Sequence, residues 1–222
     1  MAWIYAYLVV ACAVVLAGFH PLHRRRPAGD LKAYLLYFAA FFVLFFLVPI
    51  VLLIFASHGA PFVLSGVGLS PGRPGRGLAL AAAGLPVAIL AGWVGSRDPA
   101  LGKFYPFSKE ALRSVRTFAS YELAYVLLYY TAWEFLYRGI LFFPLVPAIG
   151  LVPALGVETL LSTLYHAGHP PSELLAAAGA GVVFGLVAWW TGSFFYTAIL
   201  HAAVGVSTDV FLYQRFRRSG VR

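Results

Sequence analysis

Charged residues are scarce in this chain of 222 residues, since Asp, Glu, Lys and Arg make up only 11% of it while 61% is hydrophobic. A soluble globular domain has about 25% charged and about 45–50% apolar residues. So few polar side chains cannot coat a soluble particle, which argues against a soluble enzyme, and so many apolar ones exclude a disordered chain. The composition therefore indicates a protein that crosses a membrane several times.

Cysteine and acidic residues are also few. One cysteine, Cys12, excludes a disulfide framework and a cysteine-based metal site. Asp and Glu number 8 against 16 Lys and Arg, which gives a formal net charge of +8. In a soluble protein this excess would raise the question of nucleic acid. Here the basic residues cluster in short stretches beside apolar runs, which is typical of topology signals. We therefore expect the lipid bilayer, and no nucleic acid, as a partner.

Continuous apolar runs predict an all-α transmembrane bundle of about seven helices, because one crossing takes about 20 residues. The runs lie near residues 2–19, 33–57, 77–95, 119–145, 148–166, 172–191 and 193–213. The fifth run is the weakest, since Pro153 and Glu158 interrupt it. The turn 191–193 is so short that the last two helices should form an antiparallel hairpin. No room is left for a second folded domain, so residues 1–222 are expected to form a single integral membrane domain.

The basic residues between the runs predict the orientation. With seven crossings, three basic segments fall on one side of the membrane: Arg24, Arg25, Arg26 and Lys32; Arg97, Lys103, Lys109, Arg113 and Arg116; and Arg215, Arg217, Arg218 and Arg222. The other side carries Arg73 and Arg76. The positive-inside rule then predicts a multi-pass protein of the cell membrane with its amino terminus outside and its carboxyl terminus in the cytoplasm.

A few ionisable residues lie within or beside the later apolar runs, and none lies within the first three. They are Glu122, Glu134, Arg138, Glu158, His166, His169, Glu173, His201 and Asp209. Such groups cost about 2.5–3.5 kcal/mol each at membrane depth, so they face a polar interior and are functional candidates by default. A functional site is therefore expected in the second half of the chain.

Three of these residues could act together on a water molecule. Glu134 and Arg138 are four residues apart on one helical face, so they form either a structural ion pair or part of a reactive site. His166 ends the fifth run, and His201 lies inside an otherwise apolar stretch. A carboxylate and two imidazoles from three helices are what is needed to hold and polarise a water molecule.

Two acidic residues could support the histidines. Asp209 follows His201 by about two helical turns. It either reaches the same cavity or serves the carboxyl-terminal basic segment. Glu158 precedes His166 by about two turns and could orient it.

The other candidates lie at helix ends. Glu122 and Glu173 are interpreted most simply as charges near helix N-termini. The alternative for Glu173 is a position facing the cavity of His166. His169 is expected in the turn that Pro170 ends.

The ordered motifs resemble a known family. They are Trp133-Glu134-Phe135-Leu136-Tyr137-Arg138-Gly139, Leu164-Tyr165-His166, His169-Pro170-Pro171-x-Glu173, Thr191-Gly192-Ser193 and Ile199-Leu200-His201. The set resembles the CPBP family of intramembrane endopeptidases, also called Abi, which includes the CAAX prenyl endopeptidases. The resemblance covers about residues 121–212, leaving residues 1–118 as an N-terminal portion with three spans.

The resemblance implies glutamate-dependent hydrolysis of a membrane-embedded or prenylated peptide inside the membrane. The family's motifs are Glu-Glu-x-x-x-Arg, Phe-x-x-x-His, and a His followed four residues later by Asn or Asp. Glu134 and Arg138 fit the first motif, His166 the second and His201 the third. The sequence departs from the pattern where Trp133 replaces the first Glu, Ser162 the Phe, and Gly205 the Asn or Asp.

The resemblance also implies roles for these residues. Glu134 is expected to be the general base, His166 and His201 to position the water and stabilise the oxyanion, and Arg138 to hold Glu134. The supporting residues are expected to be Asp209, Glu173, Glu158 and His169. Family members are often named metalloproteases, and Glu134, His166 and His201 would be a minimal zinc set. Because the chain lacks His-Glu-x-x-His, a metal-free site is preferred and zinc stays open.

Two other functions stay open. Trp133 and Gly205 favour a catalytically altered member of the same fold that acts as an immunity or scaffolding factor. A small transporter would use Glu134, His201 and Asp209 as a proton relay. The transporter ranks last, because the chain shows no inverted repeat of the kind found in many transporters.

Overall fold

The computed structural model describes residues 2–25, 30–57 and 63–218, and within these ranges the chain forms helices and no strands. The main helices are α1 (Ala2–Arg25), α2 (Leu31–Ala56), α3 (Pro74–Gly95), α4 (Pro99–Phe104), α5 (Val115–Ile149), α6 (Leu151–Leu164), α7 (Pro171–Thr191) and α8 (Phe195–Arg218). The prediction of an all-α bundle is confirmed.

Five of these helices, α2, α3, α5, α7 and α8, are long and apolar enough to cross a membrane. The predicted first and fifth runs correspond to the shorter apolar stretches Ile4–Ala17, within α1, and Leu151–Leu164, which is α6. The 14 residues of α6 span about 21 Å, less than a hydrocarbon core of about 30 Å. Each predicted run corresponds to a helix. Because α6 is shorter than the hydrocarbon core, the number of crossings stays a prediction. Arg26 and Arg222 of the predicted basic segments lie outside the described residues.

Local signals fix where the helices begin and end. The Asp30 carboxylate accepts from the Lys32 N–H at the start of α2, and Ser114 and Thr117 form a capping box at the start of α5. Gly192 adopts a φ of +72°, which ends α7 one turn before α8 begins. The antiparallel hairpin predicted for the last two helices is therefore present.

Aromatic rings join α2 to α5. Phe38 stacks on Tyr125 with ring centroids 4.8 Å apart, and Phe41 lies 4.6 Å from Tyr129. Residue numbers increase together along both helices, so α2 and α5 run in the same direction.

Glycines allow α3 to approach α8 closely. The facing pairs are Gly77 with Tyr196, Gly84 with Leu200, and Gly92 with Ser207. A Cβ at Gly92 would also lie 2.7 Å from the Val204 carbonyl oxygen, so the two backbones are nearly in contact. The order of the pairs shows that α3 and α8 are parallel.

The centre of α5 departs from regular α-helical geometry. Residues Tyr125–Tyr130 and Phe135–Leu141 are π-helical, with Glu134 directly before the second segment and Arg138 within it. Such widened turns are frequent at functional sites, because they re-aim side chains that a regular helix would place elsewhere.

Candidate active site

A cavity of about 660 Å³ lies among α3, α5, α7, α8 and the turn between α6 and α7. Its ionisable and phenolic lining is formed by Asp98, Tyr105, Tyr125, Tyr129, Tyr130, Arg138, His166, His169, Glu173, His201 and Asp209. Six of the eight predicted site residues therefore line one space. Glu134 and Glu158 do not contribute to the lining.

Glu134 lies behind His201. Its side chain is 0% exposed, and its Oε1 accepts a hydrogen bond of 2.6 Å from Nδ1–H of His201. This bond leaves Nε2 as the imidazole nitrogen that is not used by Glu134. The carboxylate therefore fixes the orientation of a histidine that itself lines the cavity.

Arg138 pairs with two buried carboxylates. Its Nη1 lies 3.3 Å from Glu134 Oε1, and its Nε lies 2.8 Å from Glu158 Oε1. The prediction that Glu158 orients His166 is wrong, since Glu158 projects from α6 towards Arg138. The guanidinium is thus the positive partner of both carboxylates, and all three side chains are buried.

A backbone carbonyl orients His166. The Ser162 carbonyl oxygen accepts a hydrogen bond of 2.8 Å from Nδ1–H of His166. The Nε2 atom then points towards Glu173, whose Oε1 lies 3.8 Å away. Because the partner is a main-chain oxygen, the presence of Ser162 where the family has Phe does not affect this contact.

Glu173 faces the cavity, as its alternative interpretation held, and is not simply an N-terminal helix charge. Its Oε1 accepts hydrogen bonds from the Tyr105 hydroxyl, at 2.5 Å, and from Nδ1–H of His169, at 3.0 Å. Tyr105 was missed from the sequence. It belongs to the loop between α4 and α5, and no periodicity connects it with a helix that begins more than sixty residues later.

Asp209 also lines the cavity, which was one of its two predicted positions, the other being beside the carboxyl-terminal basic segment. It is 1% exposed and lies next to Glu122, which is 8% exposed. The interpretation of Glu122 as a simple N-terminal helix charge is therefore wrong. Asp209 does not replace the missing partner of His201 at its Nδ1, because Glu134 accepts from that nitrogen.

The residues do not fit the zinc set that stayed open. Within the described ranges, no group of three His, Cys, Asp or Glu side chains is arranged to hold a metal ion. Glu134 and His201 bond to each other instead of converging on a common point, and Arg138 lies beside the same carboxylate oxygen. A cation at that oxygen would have to displace both contacts.

Lys109 holds the loop that presents Tyr105. Its ammonium donates to the carbonyl oxygens of Tyr105 and Gly102, the latter at 3.2 Å. Burial lowers the pKa of Lys109 to about 8, and the nearby Asp209 carboxylate opposes this shift. Burial disfavours the charged amine, so neutral Lys109 accumulates at a pH where an exposed lysine stays protonated.

We predict that acetylation of Lys109 by acetic anhydride rises with a midpoint near pH 8. The protein would carry Lys32→Arg and Lys103→Arg, which leave Lys109 as the remaining lysine. Mass spectrometry of the peptide containing Lys109 measures the rate. Asp209→Asn should shift the midpoint down, because the carboxylate favours the ammonium. A midpoint above about pH 10, the value of an exposed lysine, would contradict the burial of this amine.

Comparison with known families agrees with the motifs. Residues 117–207 match the family model described as type II CAAX prenyl endopeptidase Rce1-like. The matched segment begins in α5 and ends in α8, so it contains the Glu134–His201 and Arg138–Glu158 pairs as well as Glu173. The resemblance to the CPBP family is thereby confirmed. No curated protein and no solved structure matches the chain.

Proposed function

We propose that this chain, with a segment that matches a family of prenyl endopeptidases, is a multi-pass protease that hydrolyses peptide bonds within the membrane. The observation that carries the proposal is the placement of His166 and His201 on one cavity. Each ring donates from Nδ1 to an acceptor of the protein, so each Nε2 can accept from a water molecule or, when the ring is protonated, donate to a peptide carbonyl. Two pre-oriented imidazoles beside a carboxylate are suited to water activation and oxyanion stabilisation.

We assign Glu134 to a positioning role, in place of the expected role of general base. Its carboxylate is fully buried, does not line the cavity and is bonded to His201. With Nδ1 of His201 held in this way, the protonated ring would donate from Nε2–H to the oxyanion that forms at the substrate carbonyl. Arg138 places a positive charge beside Glu134 and pairs with the same carboxylate oxygen that accepts from His201.

The apolar part of the cavity suits a membrane-embedded or prenylated peptide. Val87, Leu90 and Val94 of α3 and Ala176 and Ala180 of α7 form part of its lining. Val87 and Leu90 are 67% and 57% exposed, so the cavity reaches the outer surface of the bundle, where lipid would lie. A hydrocarbon chain could pass between α3 and α7 while the peptide reaches the histidines.

The helix directions support the predicted topology. In a chain of seven crossings the second and fourth spans run one way, and the third and seventh run the other. The parallel pairs α2 with α5 and α3 with α8 agree with that order. With a cytoplasmic carboxyl terminus, the turn carrying His166 and His169 lies at the cytoplasmic end of the bundle.

The test is hydrolysis of a fluorogenic peptide with a prenylated cysteine by the full chain in liposomes. His201→Ala and His166→Ala should each lower kcat by about 100-fold or more, as expected for loss of a group acting on the transition state. Arg113→Ala is the control, because this arginine is exposed and lies outside the cavity. Equal hydrolysis by wild type and the double histidine variant would overturn the proposal. A cellular phenotype that survives both substitutions would favour the scaffolding alternative.

A further inference from the structure

The ring between the two histidines cannot accept a proton. Trp133 lies against His166, with ring centroids 5.1 Å apart, and against His201, at 6.1 Å. An indole nitrogen is a donor only. The carboxylate of Glu134, the next residue, is bonded to His201 and does not line the cavity. A carboxylate that takes the proton from the attacking water must therefore come from another part of the lining.

Among the described residues, three carboxylates line the cavity: Asp98, Glu173 and Asp209. Asp98 caps α4 by accepting from the Ala100 N–H, and its other oxygen accepts from Ser172. Asp209 lies beside Glu122 and Lys109. Glu173 is the carboxylate next to the imidazoles, with Oε1 3.0 Å from Nδ1 of His169 and 3.8 Å from Nε2 of His166.

We propose that Glu173 is the catalytic carboxylate of this protein and that it acts on a water molecule shared with His166. The assignment rests on the proposed protease function. The separation of 3.8 Å between Glu173 Oε1 and His166 Nε2 is too long for a hydrogen bond. One water molecule about 2.8 Å from each atom would bridge them. Because Nδ1 of His166 already donates to Ser162, its neutral ring presents Nε2 as an acceptor for that water.

The reaction balances with these groups alone. Glu173 takes a proton from the water, and the water oxygen forms a bond to the peptide carbonyl carbon. The carbonyl π electrons move to its oxygen, which accepts a hydrogen bond from Nε2–H of the His201 imidazolium. When the carbon–nitrogen bond breaks, the leaving nitrogen takes the proton from Glu173. The products are a carboxylic acid and an amine, and the carboxylate of Glu173 is restored.

Tyr105 and His169 are positioning residues for Glu173. The Tyr105 hydroxyl, from the loop between α4 and α5, and Nδ1–H of His169, from the turn between α6 and α7, both donate to Oε1. Two donors on one oxygen hold the carboxylate in a single orientation in the first turn of α7. The second oxygen, Oε2, has no hydrogen-bond donor among the described residues.

The test is Glu173→Gln in the liposome assay, since glutamine keeps the shape of the side chain but cannot take a proton. We expect kcat to fall by about 100-fold or more with KM changed by less than about 3-fold. Formate should restore part of the activity of Glu173→Ala, which a purely structural carboxylate would not allow. Glu110→Gln is the matched control, because Glu110 pairs with Arg113 away from the cavity.

The outcomes separate this assignment from the proposed function. If Glu173→Gln is about as active as wild type while His201→Ala is inactive, the catalytic role of Glu173 is overturned. The proposed protease function is then unaffected. If Asp209→Asn loses hydrolytic activity while Glu173→Gln stays active, Asp209 would be assigned as the catalytic carboxylate instead. No hydrolysis by wild type would overturn the function itself. If Glu173→Gln does not fold, Glu173→Asp is used, and it should retain the pH dependence of wild type at a lower kcat.

Discussion

Replacing Arg138 with alanine is expected to lower the free energy of unfolding by about 3–5 kcal/mol, because the change removes the guanidinium that pairs with two buried carboxylates. Glu134 and Glu158 are both 0% exposed, and Arg138 is 3% exposed. Water cannot replace the guanidinium around them without opening the contact between α5 and α6. Thermal or denaturant unfolding in detergent micelles measures the effect.

The matched control is Arg113→Ala, which removes the same side chain from an exposed ion pair. Arg113 lies 3.3 Å from Glu110 and its side chain is 75% exposed, so the expected loss is between 0 and about 1 kcal/mol. Adding Glu134→Gln and Glu158→Gln to Arg138→Met should recover much of the lost stability, since the buried charges then disappear together. A loss for Arg138→Ala as small as for Arg113→Ala would contradict the pairing.

The sequence predicts the helices of this fold well because a membrane helix is set by local composition. Each of the seven apolar runs became a helix, and the run that Pro153 and Glu158 interrupt is one of the two whose apolar stretch is shorter than a span. The apolar runs do not predict how each helix is rotated about its own axis. That rotation decides which residues of α3 contact α8, and the packed structure shows that they are glycines.

The same limit separates the parts of the site that the sequence predicts from those that it does not. The high cost of ionisable groups at membrane depth was enough to select Glu134, His166, Glu173 and His201. It could not say which carboxylate lies in front of the imidazoles. Helical spacing relates neighbours on one helix, whereas the bond from His201 to Glu134 joins residues 67 positions apart.

Two of the three departures from the family motifs, Trp133 and Gly205, have physical consequences in the structure. Trp133 fills the space between the two imidazoles with an aromatic ring. Gly205 lies under Tyr130, whose ring centroid is 4.7 Å from that of His201. A residue without a side chain at position 205 therefore lets Tyr130 pack on the histidine, and Glu134 accepts the hydrogen bond from Nδ1–H.

Restoring the family residue with Gly205→Asn is therefore expected to damage this protein. A Cβ at position 205 would collide with the Tyr130 hydroxyl and would lie 2.6 Å from Cζ of the same ring. Moving that ring should lower the free energy of unfolding by about 1–3 kcal/mol, the usual effect of overpacking. It should also lower kcat by about 100-fold, because Tyr130 packs on the His201 ring and a displacement of about 1 Å at a reacting group has that effect.

Gly179→Ala is the control for the glycine change, because a Cβ there meets no atom within 4 Å. It should leave kcat unchanged and raise stability by up to about 1 kcal/mol, since alanine favours the helix. Adding Tyr130→Ala to Gly205→Asn removes the colliding ring, so it should recover stability lost to the collision. Activity should stay low, because the His201 ring then loses its packing partner. An active and stable Gly205→Asn protein would instead mean that Tyr130 moves freely, and that Glu134 alone holds His201 in place.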